Sequence, residues 1–168
     1  KIMNSKFICI LLMGVAGCGK TSVGLLLAKK INAFFIEADN FHGEANINKM
    51  SSGKPLSDED RYDWLLKINK EITKRKNKQN LVVACSSLKE SYRDLLGKDN
   101  FKLVYLKINK ELASIRINSR TDHFMPSTLV DSQFLILEEP NDALVFNQDL
   151  TEIQIVNEII IKLDLKLY

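Results

Sequence analysis

The segment Gly14-Val15-Ala16-Gly17-Cys18-Gly19-Lys20-Thr21 follows directly on an apolar run, 7–13, and leads into a stretch of helical periodicity, 20–31. No other feature restricts the fold of this chain so narrowly. The eight residues fit G-x-x-x-x-G-K-[ST] with a strand before and a helix after. Glycines let the backbone curl until successive N–H groups point at one phosphate group. A helix starting near Lys20 adds the positive end of its dipole. Lys20 is placed to reach the β- and γ-phosphates of a nucleoside triphosphate, and Thr21 to offer its hydroxyl to Mg²⁺. The pattern alone does not separate a kinase from a GTPase, an ATPase or a nucleotide-binding regulator. Cys18 lies inside the loop, beside Lys20 and near a helix N-terminus, and both neighbours lower a thiol pKa. Two readings stay open there: a reactive thiol whose oxidation or alkylation blocks nucleotide binding, or a position that contributes only its backbone N–H.

Apolar runs at 7–13, 33–38, 81–85, 103–108 and 143–147 alternate with helix-like stretches at 20–31, 58–76, 89–96, 110–120, 127–137 and 151–163. Short, nearly unbroken apolar runs suit a parallel sheet buried on both faces. The alternation predicts an α/β domain, a five-stranded parallel sheet flanked by helices, with right-handed crossovers. At 168 residues the chain is expected to form a single domain, 1–168. Its net charge of +3, from 24 basic and 21 acidic residues, is too balanced to argue for nucleic acid or a membrane surface. The basic run 67–78 reads as a solvated helix face. Asp58, in Ser57-Asp58-Glu59-Asp60, opens its helix with the acidic first turn that the helix dipole favours.

Three cysteines, Cys9, Cys18 and Cys85, cannot all pair within one chain and fit no zinc spacing. Cys9 and Cys85 lie in apolar runs and read as buried reduced thiols, which points to a reducing compartment. The run 7–13 is too short to span a bilayer and is followed by the glycine-rich loop, not by a cleavage site. The chain opens Lys1-Ile2-Met3, which makes Met3 a candidate natural start.

Asp39, in Glu37-Ala38-Asp39-Asn40-Phe41-His42, stands at the C-terminal end of the second predicted strand, the end that faces the ligand crevice of an open α/β sheet. There it can hold Mg²⁺-bound water or take a proton from an attacking hydroxyl. The third strand ends in Cys85-Ser86-Ser87 and not in a metal-binding Asp, which raises the weight on Asp39. No Asn-Lys-x-Asp run is present to read guanine, which argues against a GTPase. The segment 42–64, with Gly43, Gly53 and Pro55, reads as an inserted substrate flap, a poor strand and at most an irregular helix. Lys49, Lys54 and Arg61 bring positive charge to it, which suits an anionic acceptor. Lys89 and Arg93 are four apart and are expected to share a helix face. Arg116 and Arg120 have the same spacing just before a non-helical excursion that includes His123. This suits a lid, about 120–127, that closes over phosphates and excludes water. One arginine would stack on a base and the other neutralise charge in phosphoryl transfer.

These blocks together resemble the small P-loop gluconate kinases (gluconokinases), relatives of shikimate and adenylate kinases. The resemblance runs from about residue 7 to residue 160. Beside the glycine-rich loop and Ala38-Asp39-Asn40-Phe41-His42 it rests on Ala45-Asn46-Ile47-Asn48-Lys49-Met50, on Gly53-Lys54-Pro55-Leu56-Ser57-Asp58-Glu59-Asp60-Arg61 with Trp64, and on Ala84-Cys85-Ser86-Ser87-Leu88-Lys89 with Tyr92-Arg93-Asp94. His123-Phe124-Met125-Pro126, Ser132-Gln133-Phe134 and Leu137-Glu138-Glu139-Pro140 complete it. It implies a three-layer P-loop kinase fold with substrate flap and lid. It implies transfer of the ATP γ-phosphoryl to the terminal hydroxyl of D-gluconate, a Mg²⁺ requirement, a cytoplasmic setting in gluconate catabolism, and a homodimer. Nucleic-acid and membrane partners are not implied. By position, Asp39 looks like the acceptor-activating or metal-organising carboxylate, and His42, Lys49, Arg61, Lys89 and Arg93 look like groups around the sugar acid. Arg116 resembles an adenine-stacking arginine and Arg120 the phosphate-facing lid arginine. Ala16 and Cys18 stand where many members have Ser.

The mechanism expected is in-line transfer. Lys20, the loop amides and Mg²⁺ on Thr21 hold the β,γ-phosphates, Asp39 deprotonates the acceptor hydroxyl, and Arg120 closes over the developing charge. The competing readings are a kinase for another small anion, such as a different sugar acid or shikimate, and a non-catalytic nucleotide-binding regulator.

Overall fold

The strand that carries the glycine-rich loop is the middle of the sheet. In the computed structural model, which describes residues 6–120, 126 and 128–168, β1 (Cys9–Met13) is buried along its whole length, and Ile10, Leu11, Leu12 and Met13 have no exposed surface. Shielding one such side chain contributes about 2 kcal/mol, so desolvation holds this strand in the centre. β3 (Asn80–Ala84) pairs with it on one side and β4 (Lys102–Lys107) on the other, with Leu12 opposite Ala84 and Val104. β2 (Ala33–Glu37) and β5 (Leu144–Asn147) form the edges, giving the order β2-β3-β1-β4-β5 with every pairing parallel. The five apolar runs are these five strands, each within about two residues of the expected bounds.

The direction of each crossover sorts the helices into two layers. α1 (Lys20–Ile31) carries the chain from β1 outward to β2, while every later connection runs back toward β5. Right-handed crossovers of opposite direction place their helices on opposite faces. α2 (Glu44–Ser51), α3 (Asp58–Arg75), α4 (Glu90–Leu96), α5 (Lys110–Asn118) and α6 (Leu129–Ile136) therefore lie across the sheet from α1. α7 (Glu152–Lys162) returns to pack against α1, as α3 packs against α4 and α5 against α6. The result is the three-layer arrangement expected.

The segment 42–64 differs from its expectation. Residues 44–51 form a regular helix, and residues 58–64 belong to the first two turns of α3. Glycines and polar side chains obscure α2 in the sequence, yet Met50 tucks beneath it with Leu56 and Leu129 in a small satellite core. α3 begins with a capping box: Ser57 Oγ accepts from Asp60 N, and the Asp60 carboxylate accepts from Ser57 N. Such a cap contributes about 1 kcal/mol. Its buried face is Arg61, Trp64, Leu65, Ile68 and Ile72, a helical spacing, and Lys67, Lys70 and Lys74 lie on the exposed side. The basic run is thus a solvated face, as expected. Cys9, Cys18 and Cys85 are all buried free thiols.

Candidate active site

The loop between β1 and α1 is held open by its glycines and by anchors from distant parts of the chain. Gly14 has φ 148° and Gly19 has φ 100°, backbone that an L side chain rarely adopts. A Cβ on Gly14 would lie 2.6 Å from Cys18 Sγ and 2.7 Å from Leu106 O. Gly14 N donates to Ser86 O at 3.1 Å, Ala16 N to Gln133 Oε1 at 2.7 Å, and Arg116 Nη1 to Gly17 O at 3.0 Å. α1 then starts with Gly19 as N-cap, no side-chain cap and no acidic residue in its first turn. Its first in-helix bond runs from Val23 N to Gly19 O, so the amides of Lys20, Thr21 and Ser22 have no helical acceptor. An uncapped helix N-terminus beside a glycine-rich turn is an anion site. Lys20 Nζ is held above it by Gly14 O at 2.8 Å and Val15 O at 3.1 Å. Gly14→Ala is expected to destabilise the protein by about 2 kcal/mol and to reduce the ATP-induced rise in melting temperature, both read by differential scanning fluorimetry.

Two clefts meet at this loop. The first is bordered by Lys20, Thr21, Glu37, Asp39, His42, Arg61, Trp64 and Arg120. Thr21 Oγ1 donates to Glu37 Oε2 at 2.5 Å. Burial pushes the Glu37 carboxyl above the usual range, and the Thr21 hydrogen bond opposes that push. Asp39 follows two residues on, in the 3-10 turn Ala38–Phe41. A hydroxyl and two carboxylates at the head of α1 are the hard oxygen donors that suit Mg²⁺. Among the described residues no three His, Cys, Asp or Glu cluster to cage a metal by themselves. That is compatible with Mg²⁺, which takes one or two protein oxygens and the substrate phosphates. Arg61 is buried, donates to Leu56 O and to Tyr92 Oη, and still borders the cleft. The second cleft lies on the other side of the loop, between Arg116 and Arg120 of the α5 region and the turn after β5, with Asn147, Gln148 and Thr151. Gly17, Gly19 and Arg120 border both clefts.

A family model described as shikimate kinase matches residues 16–164. A probable gluconokinase of Dictyostelium discoideum is 40% identical over 159 residues, 89% of this chain and 80% of its own length. The thermosensitive gluconokinase of Escherichia coli (strain K12) is 42% identical over 153 residues, covering 89% of this chain and 80% of that protein. The chain belongs to the gluconokinase family. The solved gluconokinase of Sinorhizobium meliloti 1021 superposes with a TM-score of 0.82 at 37% identity, covering 94% of this chain and 91% of that one. A sugar kinase of Janibacter sp. HTCC2649 does so with 0.87 at 33% identity, covering 95% of each chain. The fold is that of the P-loop kinases. At 22% identity, a Mycobacterium tuberculosis APS kinase, with a TM-score of 0.69 over 94% of this chain and 98% of that chain, is alike in fold.

Within this gluconokinase-family fold, the expected site residues fall into two groups. Gly14, Val15, Ala16, Gly17, Cys18, Gly19, Lys20 and Thr21 form the loop, and Asp39, His42, Arg61 and Arg120 border the first cleft. Lys49, Lys89 and Arg93 do not line it. Lys49 Nζ is taken by the Asp60 carboxylate at 2.5 Å and Lys89 Nζ by Asp58 at 3.0 Å. Lys89 and Arg93 also fail to share a helix face, because α4 starts at Glu90 and Lys89 is its N-cap. Arg93 is buried and donates to Ser87 O and Glu138 O, a role in fixing the β3–α4 loop. Arg116 borders the second cleft. The lid residues 121–125 and 127, with His123, lie outside the described residues. Cys18 is buried, with Sγ 3.7 Å from Lys20 Nζ. Two residues of the site were not among the expected site residues. Glu37 could have been found from the Glu37-x-Asp39 spacing at a strand end. Gln133 carries no local signal, since its contact with Ala16 spans 117 positions.

Proposed function

We propose that this protein transfers the γ-phosphoryl of ATP to the terminal hydroxyl of D-gluconate. The observation that carries the reading is the pair of clefts meeting at the glycine-rich loop, with Arg120 at their junction and Asp39 on the acceptor side. The names of its relatives in Dictyostelium discoideum, Escherichia coli and Sinorhizobium meliloti support gluconate as the acceptor. A regulator that only binds nucleotide needs neither the carboxylate of Asp39 nor the buried Arg61 in the first cleft.

Lys20 and the amides of residues 17–21 bind the β- and γ-phosphates, and Arg116 flanks the nucleoside. Thr21, with Glu37 and Asp39 beyond it, is where Mg²⁺ would be held, supplying charge neutralisation to the phosphates. Asp39 orients the acceptor hydroxyl and takes its proton. Arg120 neutralises charge as the phosphoryl group moves. Arg61 and His42 hold the sugar acid, and Lys49, Lys89 and Arg93 shape its cleft from behind, by fixing the head of α3 and the β3–α4 loop. The buried free thiols support a cytoplasmic setting. A single domain and a homodimer complete the proposal, and light scattering of the purified protein measures the latter.

A coupled assay of ADP release with D-gluconate, other sugar acids and shikimate tests the reading. D-gluconate is expected to give the highest kcat/KM, by at least about 10-fold. ATP binding without gluconate-stimulated ADP release would replace the kinase by the regulator.

A further inference from the structure

His42 lies flat on Trp64, with ring centroids 4.1 Å apart and planes 17° apart. The indole is itself fixed, its Nε1–H donating to Ala38 O at 2.8 Å. At the edge of the imidazole, Asn46 Nδ2 of α2 stands 3.3 Å from His42 Nδ1. The same Asn46 atom is 2.8 Å from the main-chain carbonyl of Asp60. A carbonyl oxygen only accepts, so the Asn46 atom that faces it is the NH₂ group and not the amide oxygen. That group has two hydrogens. With one on Asp60 O, the other is directed at His42 Nδ1, which must then accept it. In a neutral ring whose Nδ1 is bare, the proton sits on Nε2, and His42 borders the first cleft.

We infer that Asn46 is a positioning residue that locks His42 in the Nε2–H tautomer, so that His42 serves as a neutral hydrogen-bond donor to an oxygen of the acceptor. The acceptor half of this statement rests on the sugar-acid kinase reading; the tautomer does not. A ring that presents N–H to the cleft cannot remove a hydroxyl proton there, which leaves that step to Asp39. The charges around the ring are Asp39 from the 3-10 turn and Arg61 and Lys67 from α3. Burial first, then Arg61 and Lys67, hold the imidazole pKa down to about 4 against the pull of Asp39. The Asp60 carboxylate close to Asn46 is already engaged by Lys49 and by Ser57 N.

The chain has 2 histidines, so long-range ¹H–¹⁵N correlation of the labelled protein reads the tautomer directly, with His123→Gln assigning the signals. The wild type is expected to carry the proton on Nε2. Asn46→Asp keeps the side-chain size but accepts where Asn46 donates. It should move the proton to Nδ1, which then donates to the new carboxylate. The KM for gluconate should rise about 10-fold, with kcat and the KM for ATP within about threefold. Asn46→Ala, which removes the donors without adding charge, should give mixed tautomers and a smaller rise in KM. An Nδ1–H tautomer in the wild type, or one tautomer common to all three proteins, would overturn the lock. A wild type with the Nε2–H tautomer that leaves gluconate unphosphorylated would count against the acceptor reading and leave the lock standing.

Discussion

Asp39→Ala is expected to lower kcat for gluconate phosphorylation by at least about 100-fold, the scale of losing one acid–base contributor. Asp39 stands just past β2, in a cleft it shares with Lys20, Thr21 and Arg120, and among the described residues no other carboxylate of that cleft is free of the loop, since Glu37 accepts from Thr21. The expected signature is a fall in kcat with ATP affinity nearly unchanged, because Asp39 borders the acceptor cleft and not the cleft of Arg116. Asp39→Asn should be as slow, since an amide keeps the shape but cannot take the proton. Steady-state kinetics and ATP titration calorimetry on each variant separate the two quantities. An Asp39→Ala enzyme with near-normal kcat would remove the carboxylate from its role.

Lys20→Ala is the second large effect, again at least about 100-fold in kcat, but with a different pattern. Lys20 Nζ bonds to Gly14 O and Val15 O, so its loss removes a cation for the phosphates and also two ties across the loop. The KM for ATP should therefore rise together with the fall in kcat. Lys20→Arg should rescue little, since a planar guanidinium cannot replace a compact ammonium in so tight a turn. A Lys20→Ala enzyme that kept its KM for ATP would show that the amides alone carry nucleotide binding.

The sheet was legible because its signal is local. A strand buried on both faces shows a nearly unbroken apolar run, as 7–13 and 81–85 do and as 103–108 does apart from the exposed Lys107. α1 matched its expected bounds, Lys20–Ile31, because the loop motif fixes its start and Asn32, with φ 50°, ends it. α2 was not legible: its eight residues bury mainly Met50, too little for a periodic pattern to emerge. Lys49 and Lys89 owe their places to the fold for a similar reason. Asp58 and Asp60 read locally as the acidic opening of α3, which they are, but they also draw Lys89 and Lys49 out of the cleft across 31 and 11 positions. Whether a lysine faces a ligand depends on which carboxylate reaches it first, and that is a property of the fold. Glu37 shares the strand end with Asp39, and its role follows from the fold, which brings its carboxylate to Thr21.

The glycine-rich loop looks portable, a short motif with its own chemistry. In this protein it is not. One of its amides is fixed by Gln133, one by the main chain at Ser86, and one carbonyl by Arg116, at separations of up to 117 residues. The phosphate cradle therefore acquires its shape only once the last third of the chain has docked on the sheet. Nucleotide binding should thus report on completion of folding, and a fragment ending before α6 should carry the motif intact yet hold ATP poorly.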